Sequence, residues 1–213
     1  INDDGFSDMI VSSYVYSKST GKAYIYVGSA KTPITIKFKM FIEGFYNSVS
    51  NLQVSDTVNV ELRSPTSPFA VVDQIKVTSR SDGNALLTFL NAPSGNYFIT
   101  VKHRNSIETW SANAIAVTSG SIGSYNFSVS LAQAFGNNMT QIDISPSKFG
   151  IYSGDENQDG SVNLTDVVKV SNNASAFTTG YETSDMNGDN STDLNDLVIT
   201  ANNASVFVAK VTP

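Results

Sequence analysis

The sequence predicts a mainly β chain with a small α part: an antiparallel sandwich over residues 1–148, then a helical repeat over residues 149–213. Three observations predict it. Short runs of alternating apolar and polar residues recur through the first two thirds, separated by turns rich in Gly, Pro and Asn. The last third repeats itself at an offset of 30 residues. The acidity is confined to that last third. From residue 150 on, nine carboxylates face only Lys169 and Lys210, a local charge of −7, whereas eleven bases and ten acids before it leave +1.

Residues 9–16 and 22–28 are aromatic-rich runs (Tyr14, Tyr16, Tyr24, Tyr26) joined by the turn Lys18-Ser-Thr-Gly-Lys22. They predict a hairpin, which either joins the sandwich or stands apart as a separate unit over residues 1–28. In the next run, Ile34, Ile36, Phe38, Met40 and Ile42 share one face and Thr35, Lys37 and Lys39 the other, the period of a half-buried strand. Similar runs follow at Thr57–Leu62, Phe69–Val77, Ala85–Leu90, Tyr97–Lys102, Ala114–Thr118 and Tyr125–Leu131. Ser81-Asp-Gly-Asn84, Pro93-Ser-Gly-Asn96 and Ser119-Gly-Ser-Ile-Gly123 supply turns between them. Regular spacing of this kind indicates an antiparallel sandwich.

The segment Lys102–Trp110 holds His103, Arg104, Glu108 and Trp110. A lone histidine beside an arginine, without a nucleophile or second carboxylate, does not make a general acid–base site. A strand end and turn are expected, with Trp110 at the core edge. The sharper alternative is a sugar platform, with Trp110 or the Tyr14, Tyr16, Tyr24 and Tyr26 set stacking on a pyranose ring.

Composition narrows the function classes. The 213 residues are 40% apolar and 15% charged, too apolar for a disordered tail. A net charge of −6 argues against a general nucleic-acid binder. The lack of cysteine excludes thiol catalysis, thiolate metal sites and disulfides, and a single histidine excludes chemistry that needs two imidazoles. No apolar run reaches the roughly 18–20 residues that span a bilayer. No catalytic constellation is present, so a non-enzyme is expected. The chain opens at Ile1 without a basic–apolar signal segment, as expected of a mature product or an excised piece of something longer.

Turn residues at Pro146–Gly154 mark a boundary, after which the repeat begins. Asn172-Asn-Ala-Ser-Ala-Phe177 and Asn202-Asn-Ala-Ser-Val-Phe207 differ at one position. Ahead of each lies a twelve-residue loop rich in oxygen side chains. The first places Asp155, Asn157, Asp159, Asn163 and Asp166 at positions 1, 3, 5, 9 and 12; the second places Asp185, Asn187, Asp189, Asp193 and Asp196 there. Alternate side chains of a tight loop converge on one centre. Position 7, Ser161 or Ser191, adds its carbonyl, and position 12 closes the shell from the following helix. This is the pattern that wraps a hard cation, and its flexible angles suit Ca²⁺ over Mg²⁺. Two Ca²⁺ ions are therefore expected, with Asn163 acting directly or through water. Position 6 needs positive φ, which Gly160 adopts freely and Asn190 tolerates, so the second loop is expected to bind more weakly. After each loop, Val167, Val170, Ala174 and Phe177, or Leu197, Thr200, Ala204 and Phe207, fall on one helical face.

Residues 150–213 thus resemble a dockerin of the cellulosome type: a duplicated loop–helix with Asp at position 12, one helix per loop, and a near-twofold repeat. The sandwich before it resembles, on weaker grounds, the immunoglobulin- or transthyretin-like X module that often precedes a dockerin. The resemblance implies a non-catalytic, calcium-dependent docking region of a secreted bacterial protein, free or at the cell surface, whose partner is a cohesin-like module. It assigns partner contact to loop positions 10 and 11, here Leu164 and Thr165, and Leu194 and Asn195. The Ser-Thr pair common there in the family is absent, as is the later Lys-Arg pair, so the partner's identity does not carry over. Leu164 and Leu194 either pack against the opposite loop or face the partner. The alternative function is a carbohydrate- or cell-surface-binding sandwich with a calcium-stiffened C-terminal module.

Overall fold

A computed structural model describes residues 9–13, 22–26 and 32–213. The chain separates into two units, Ile1–Thr32 and Pro33–Pro213. In the first, β1 (Met9–Ser13) pairs antiparallel with β2 (Lys22–Tyr26), Met9 opposite Tyr26. The turn expected at Lys18–Lys22, with Tyr14 and Tyr16, lies outside the described residues, apart from Lys22 itself.

The second unit begins with β3 (Ile34–Lys39). Ile34, Ile36 and Phe38 are buried while Lys37 is exposed, as the alternation requires. A two-residue pair, β4 (Tyr46–Asn47) and β5 (Leu52–Gln53), leads into the long strands β6 (Asp56–Arg63) and β7 (Val71–Ser79), then β8 (Asn84–Phe89). Next come β9 (Gly95–His103), β10 (Ser106–Trp110), β11 (Ile115–Val117) and β12 (Ile122–Asn126). One sheet runs β10-β9-β6-β7, with β11 also pairing with β9; the other runs β12-β3-β8. Their inner faces share one core, in which Ile36, Phe38, Leu87 and Phe89 of one sheet meet Val58, Val60, Leu62, Ile99 and Val101 of the other. Full burial of each such side chain contributes about 1.5–3 kcal/mol. Among the described residues, the second unit is a β-sandwich with two helices.

Four local expectations change. The sandwich is not wholly antiparallel, since β12 runs parallel to β3, Tyr125 opposite Phe38. Parallel neighbours cannot be joined by a hairpin, and the chain here passes through the other sheet between the two strands. The strand expected over Tyr125–Leu131 stops at Asn126, whose side chain accepts from the Ser128 amide at 2.9 Å and starts a 3₁₀ turn in place of the ladder. The run beginning at Ile34 leaves the sheet after Lys39, although Met40 and Ile42 stay buried and Ile42 bridges to Ile151. Ser106–Trp110 is a full strand, hairpinned to β9 with Ser106 opposite His103.

A further hairpin, β13 (Thr140–Ile144) with β14 (Ser147–Gly150), leads to the repeat. Helices α1 (Leu164–Ser175) and α2 (Leu194–Ser205) start thirty residues apart and pack on each other. Asn163 and Asp193 cap them, accepting from the Thr165 and Asn195 amides at 2.7 Å. Asp166 and Asp196 complete the capping boxes by accepting from the cap-residue amides at 2.9 and 2.8 Å. Position 9 is thus a helix cap whatever else it binds.

Both helices end alike. The Phe177 and Thr178 amides donate to Ala174 and Asn173, and those of Phe207 and Val208 to Ala204 and Asn203, the Schellman pattern. The residue that turns the chain is normally glycine; here it is Phe177 (φ 52°) or Phe207 (φ 56°). This overturns the expectation that these phenylalanines complete the inward helical faces. Val170 and Thr200 are buried, but Phe177 and Phe207 are 85% and 86% exposed. The left-handed turn lies past the helix end and swings the ring off the 3.6-residue period.

The repeat and the sandwich interlock. Ile107 of β10 packs with Val162 and Val208 of the repeat. Asn203 on α2 donates to Glu43 at 2.6 Å and to the Ser153 carbonyl at 2.8 Å.

Candidate metal loops and an exposed helical face

Each loop is closed by its own backbone amides. At position 12, Asp166 Oδ1 accepts from the Glu156 and Asn157 amides at 3.0 and 3.2 Å; Asp196 Oδ1 accepts from Met186 and Asn187 at 2.7 and 3.2 Å. The side chains of Asn157 and Asn187 at position 3 each accept from the amide of position 5 at 2.8 Å. Asp159 and Asp189 at position 5 each accept from the amide of position 7, Ser161 or Ser191, at 2.9 Å. Position 6 is left-handed in both, Gly160 at φ 91° and Asn190 at φ 67°. Loop 1 pairs at Ser161 with Ala209, past α2, and loop 2 at Ser191 with Thr179, past α1, so each loop is stitched to the far end of the other's helix.

Oxygen donors and no nitrogen or sulfur ligands line both loops, the donor set of a hard cation. In loop 1 the buried Asp155 Oδ1 has no hydrogen-bond partner among the described residues, and Oδ2 accepts only from the Gly160 amide at 3.1 Å. Burial, opposed by that amide and reinforced by the negative charge of Asp166 and Asp159, pushes Asp155 up to about 6. A buried carboxylate oxygen without a donor, repelled by its neighbours, is the arrangement a cation relieves. Burial also raises Asp196, against hydrogen bonds from Asp193, Met186 and Asn187 amides. Among the described residues no three acidic or imidazole side chains gather into a metal-holding group. A cation would therefore depend on the amide oxygens of Asn157, Asn163 and Asn187 and on the Ser161 and Ser191 carbonyls beside the carboxylates.

Beside the loops lies an exposed apolar step, repeated. Leu164 is 73% exposed and Leu194 69%, each followed one helical turn later by half-exposed Val168 or Val198. Thr165 and Asn195 are exposed beside them. The leucines face outward and do not pack against the opposite loop.

The sugar-platform residues are placed differently. Trp110 is buried, edge-on to Phe69 and Phe98, with the Arg63 guanidinium 4.9 Å from its ring and its Nε1 donating to Glu108 at 2.7 Å. It is core and offers no open face for stacking. Tyr24 is exposed on β2.

One cluster escaped the sequence reading because its members are far apart in the chain. Asp56 accepts from Tyr181 Oη at 2.6 Å and Arg104 Nε at 3.0 Å, and lies 3.1 Å from His103 Nε2. Burial opposes ionisation of Asp56, but hydrogen bonds from His103, Tyr181 and Arg104 outweigh it and hold the carboxyl far below its usual range. Burial pulls His103 down in spite of Asp56, so the imidazole is neutral near pH 7. Arg104 lies 4.4 Å from the Tyr181 ring centroid and 5.3 Å from that of Phe45. It also reaches loop 2, at 3.4 Å from Asp185 Oδ2, while Asn105 donates to the Asp185 carbonyl at 2.7 Å.

No known protein family matches the chain by sequence, and no curated protein does. Solved structures match over most of the chain, two of them as follows. One is a C-terminal interface mutant of a type II cohesin–X-dockerin complex from Acetivibrio cellulolyticus, with a TM-score of 0.45 and 17% identity, covering 81% of this chain and 98% of that one. The other is an N-terminal interface mutant of the type II complex from the same organism, with a TM-score of 0.40 and 17% identity, covering 84% of this chain and 99% of that one.

Proposed function

We propose that residues 149–213 are a calcium-stabilised docking module without catalytic activity, buttressed by the immunoglobulin-like sandwich of residues 33–148. On this reading the chain belongs to a secreted protein and binds a cohesin-like module. The observation that carries it is the duplicated apolar step, Leu164 with Val168 and Leu194 with Val198, exposed beside two oxygen-lined loops. Small apolar patches with polar rims mark interaction surfaces, and two in equivalent positions offer two similar faces to one partner.

Bound Ca²⁺ would supply positive charge and an oxygen-seeking centre in each loop. Asp155, Asn157, Asp159, the Ser161 carbonyl, Asn163 and Asp166 would hold one ion. Asp185, Asn187, Asp189, the Ser191 carbonyl, Asp193 and Asp196 would hold the other. The chain's own part is mechanical. Asp166 and Asp196 tie each loop to the first turn of its helix, so loop closure fixes where Leu164, Thr165, Leu194 and Asn195 point.

The test is capture from culture supernatant with and without chelator. A protein partner held in calcium and released by EDTA supports docking. Retention on polysaccharide regardless of calcium refutes it in favour of a glycan-binding sandwich.

A further inference from the structure

The two loops share a sequence pattern but not an electrostatic setting. Both position 1 carboxylates are buried. In loop 1, Asp155 leaves one oxygen without a partner among the described residues. Lys102 and Lys210 line a cleft with it, yet among the described residues neither makes an ion pair with a loop 1 carboxylate. Lys102 is paired with Glu61 and Glu108, and Lys169 pairs with Glu156 at position 2, not with Asp155. In loop 2 both oxygens of Asp185 are engaged. Oδ1 accepts from the Gly188 and Asp189 amides at 2.7 and 3.2 Å, and Oδ2 from the Asn190 amide at 3.1 Å and from Arg104 at 3.4 Å.

Arg104 is no wandering surface charge. Its side chain is 10% exposed, flanked by Phe45 and Tyr181 and anchored through Nε to Asp56. Its Nη1 is buried with no partner among the described residues. A guanidinium cannot shed its proton to escape such a place. We infer that Arg104 is a built-in counter-cation of loop 2: it balances the Asp185 carboxylate when no ion is bound and opposes a divalent cation there, so the two loops differ in affinity through a residue of the sandwich.

The inference rests on the reading of both loops as calcium sites. Each loop has four carboxylates. At the ligand positions, charge count favours loop 2, with Asp185, Asp189, Asp193 and Asp196 against Asp155, Asp159 and Asp166 in loop 1, whose fourth acid, Glu156, is paired with Lys169. Position 6 acts the other way, through Asn190. Arg104 is separable from both by substitution. A fixed unit charge this close repels a divalent ion strongly, and Asp56 cancels part of its field, so removing it should tighten loop 2 by about tenfold.

Calcium titration calorimetry on the whole chain tests this, with Asp159→Ala and Asp189→Ala assigning each step to its loop. Arg104→Gln, and Arg104→Met, which keeps an apolar stem between Phe45 and Tyr181, should tighten the loop 2 step about tenfold and leave loop 1 unmoved. Arg104→Lys keeps the charge and should stay near wild type. Two steps with loop 2 unmoved in the neutral variants overturn the inference and leave the calcium reading intact. The absence of any calcium step in the wild type overturns both. If the neutral variants unfold without calcium, the inference requires that saturating calcium refold them, because the ion replaces the missing charge; variants that stay unfolded make Arg104 a purely structural residue.

Discussion

Replacing Gly44 with alanine adds one methyl group where the sandwich meets the second loop. Gly44 does not occupy the left-handed region, so alanine brings no backbone strain of its own. The new Cβ would collide with the Met186 carbonyl oxygen and come within 3.0 Å of its carbonyl carbon and 3.2 Å of Ile199 Cδ1. Met186 is fully buried, and its amide donates to Asp196 at 2.7 Å. The backbone that must yield is therefore the one that holds position 12. Overpacking against side chains costs about 1–3 kcal/mol. Backbone gives way less readily, so a loss of about 2–4 kcal/mol is expected here. At about 2–4 °C per kcal/mol for a unit of this size, Tm should fall by roughly 4–16 °C. Gly123→Ala is the control, since its Cβ would meet Thr35 and Ile36 only at 3.8 and 3.9 Å; it should stay within about 0.5 kcal/mol of wild type. Scanning calorimetry of both variants decides. A Gly44→Ala protein that melts within a degree of wild type would mean that loop 2 is not held against the sandwich.

Relief of the strained helix ends should stabilise the protein: Phe177→Gly and Phe207→Gly each remove a left-handed phenylalanine whose ring is exposed. Each should gain roughly 0.5–1 kcal/mol in chemical denaturation, and a loss instead would assign the rings a folding contact. Stability should also fall with acid. Protonation of His103 is disfavoured in the folded state, so its contribution is complete above the unfolded value near 6.5 and is lost as pH drops below it, by up to about 1.4 kcal/mol per pH unit. Asp56, held low, gives way only below about pH 4. Denaturant melts at pH 7, 6 and 5 should show a steeper loss for wild type than for His103→Gln; equal slopes would show that the imidazole is not the group responsible.

What the sequence could reveal was local. Strand β3 was legible because Ile34, Ile36 and Phe38 alternate with polar residues within one segment, and that alternation is what the sheet buries. The helices were legible because Val167, Val170 and Ala174, and Leu197, Thr200 and Ala204, recur at helical spacing after each loop, whereas the capping role of Asn163 and Asp193 was hidden behind their place as cation ligands. Strand β10 was not legible: Ser106 and Thr109 are polar yet buried, since β9 lies alongside and the repeat packs on Ile107. The parallel pairing of β12 depends on which sheet the chain re-enters, which no short window records. Phe177 and Phe207 continued the helical period in the sequence and left it in space because one residue takes positive φ. The tie from Arg104 to Asp185 spans 81 residues, and nothing in either segment alone announces it.

The central claim is that the duplicated step beside the loops is the docking surface. Its most direct test changes Leu164-Thr165 and Leu194-Asn195 to Glu-Lys pairs, singly and together, and measures capture of a cohesin-like partner while calcium stoichiometry is followed in parallel. The account predicts that each single pair weakens capture by about threefold or less, because the other face still serves. The double change should cost about a hundredfold or more with both calcium sites intact. A double variant that binds calcium and captures its partner at wild-type strength would contradict the account and move the recognition surface elsewhere on the chain.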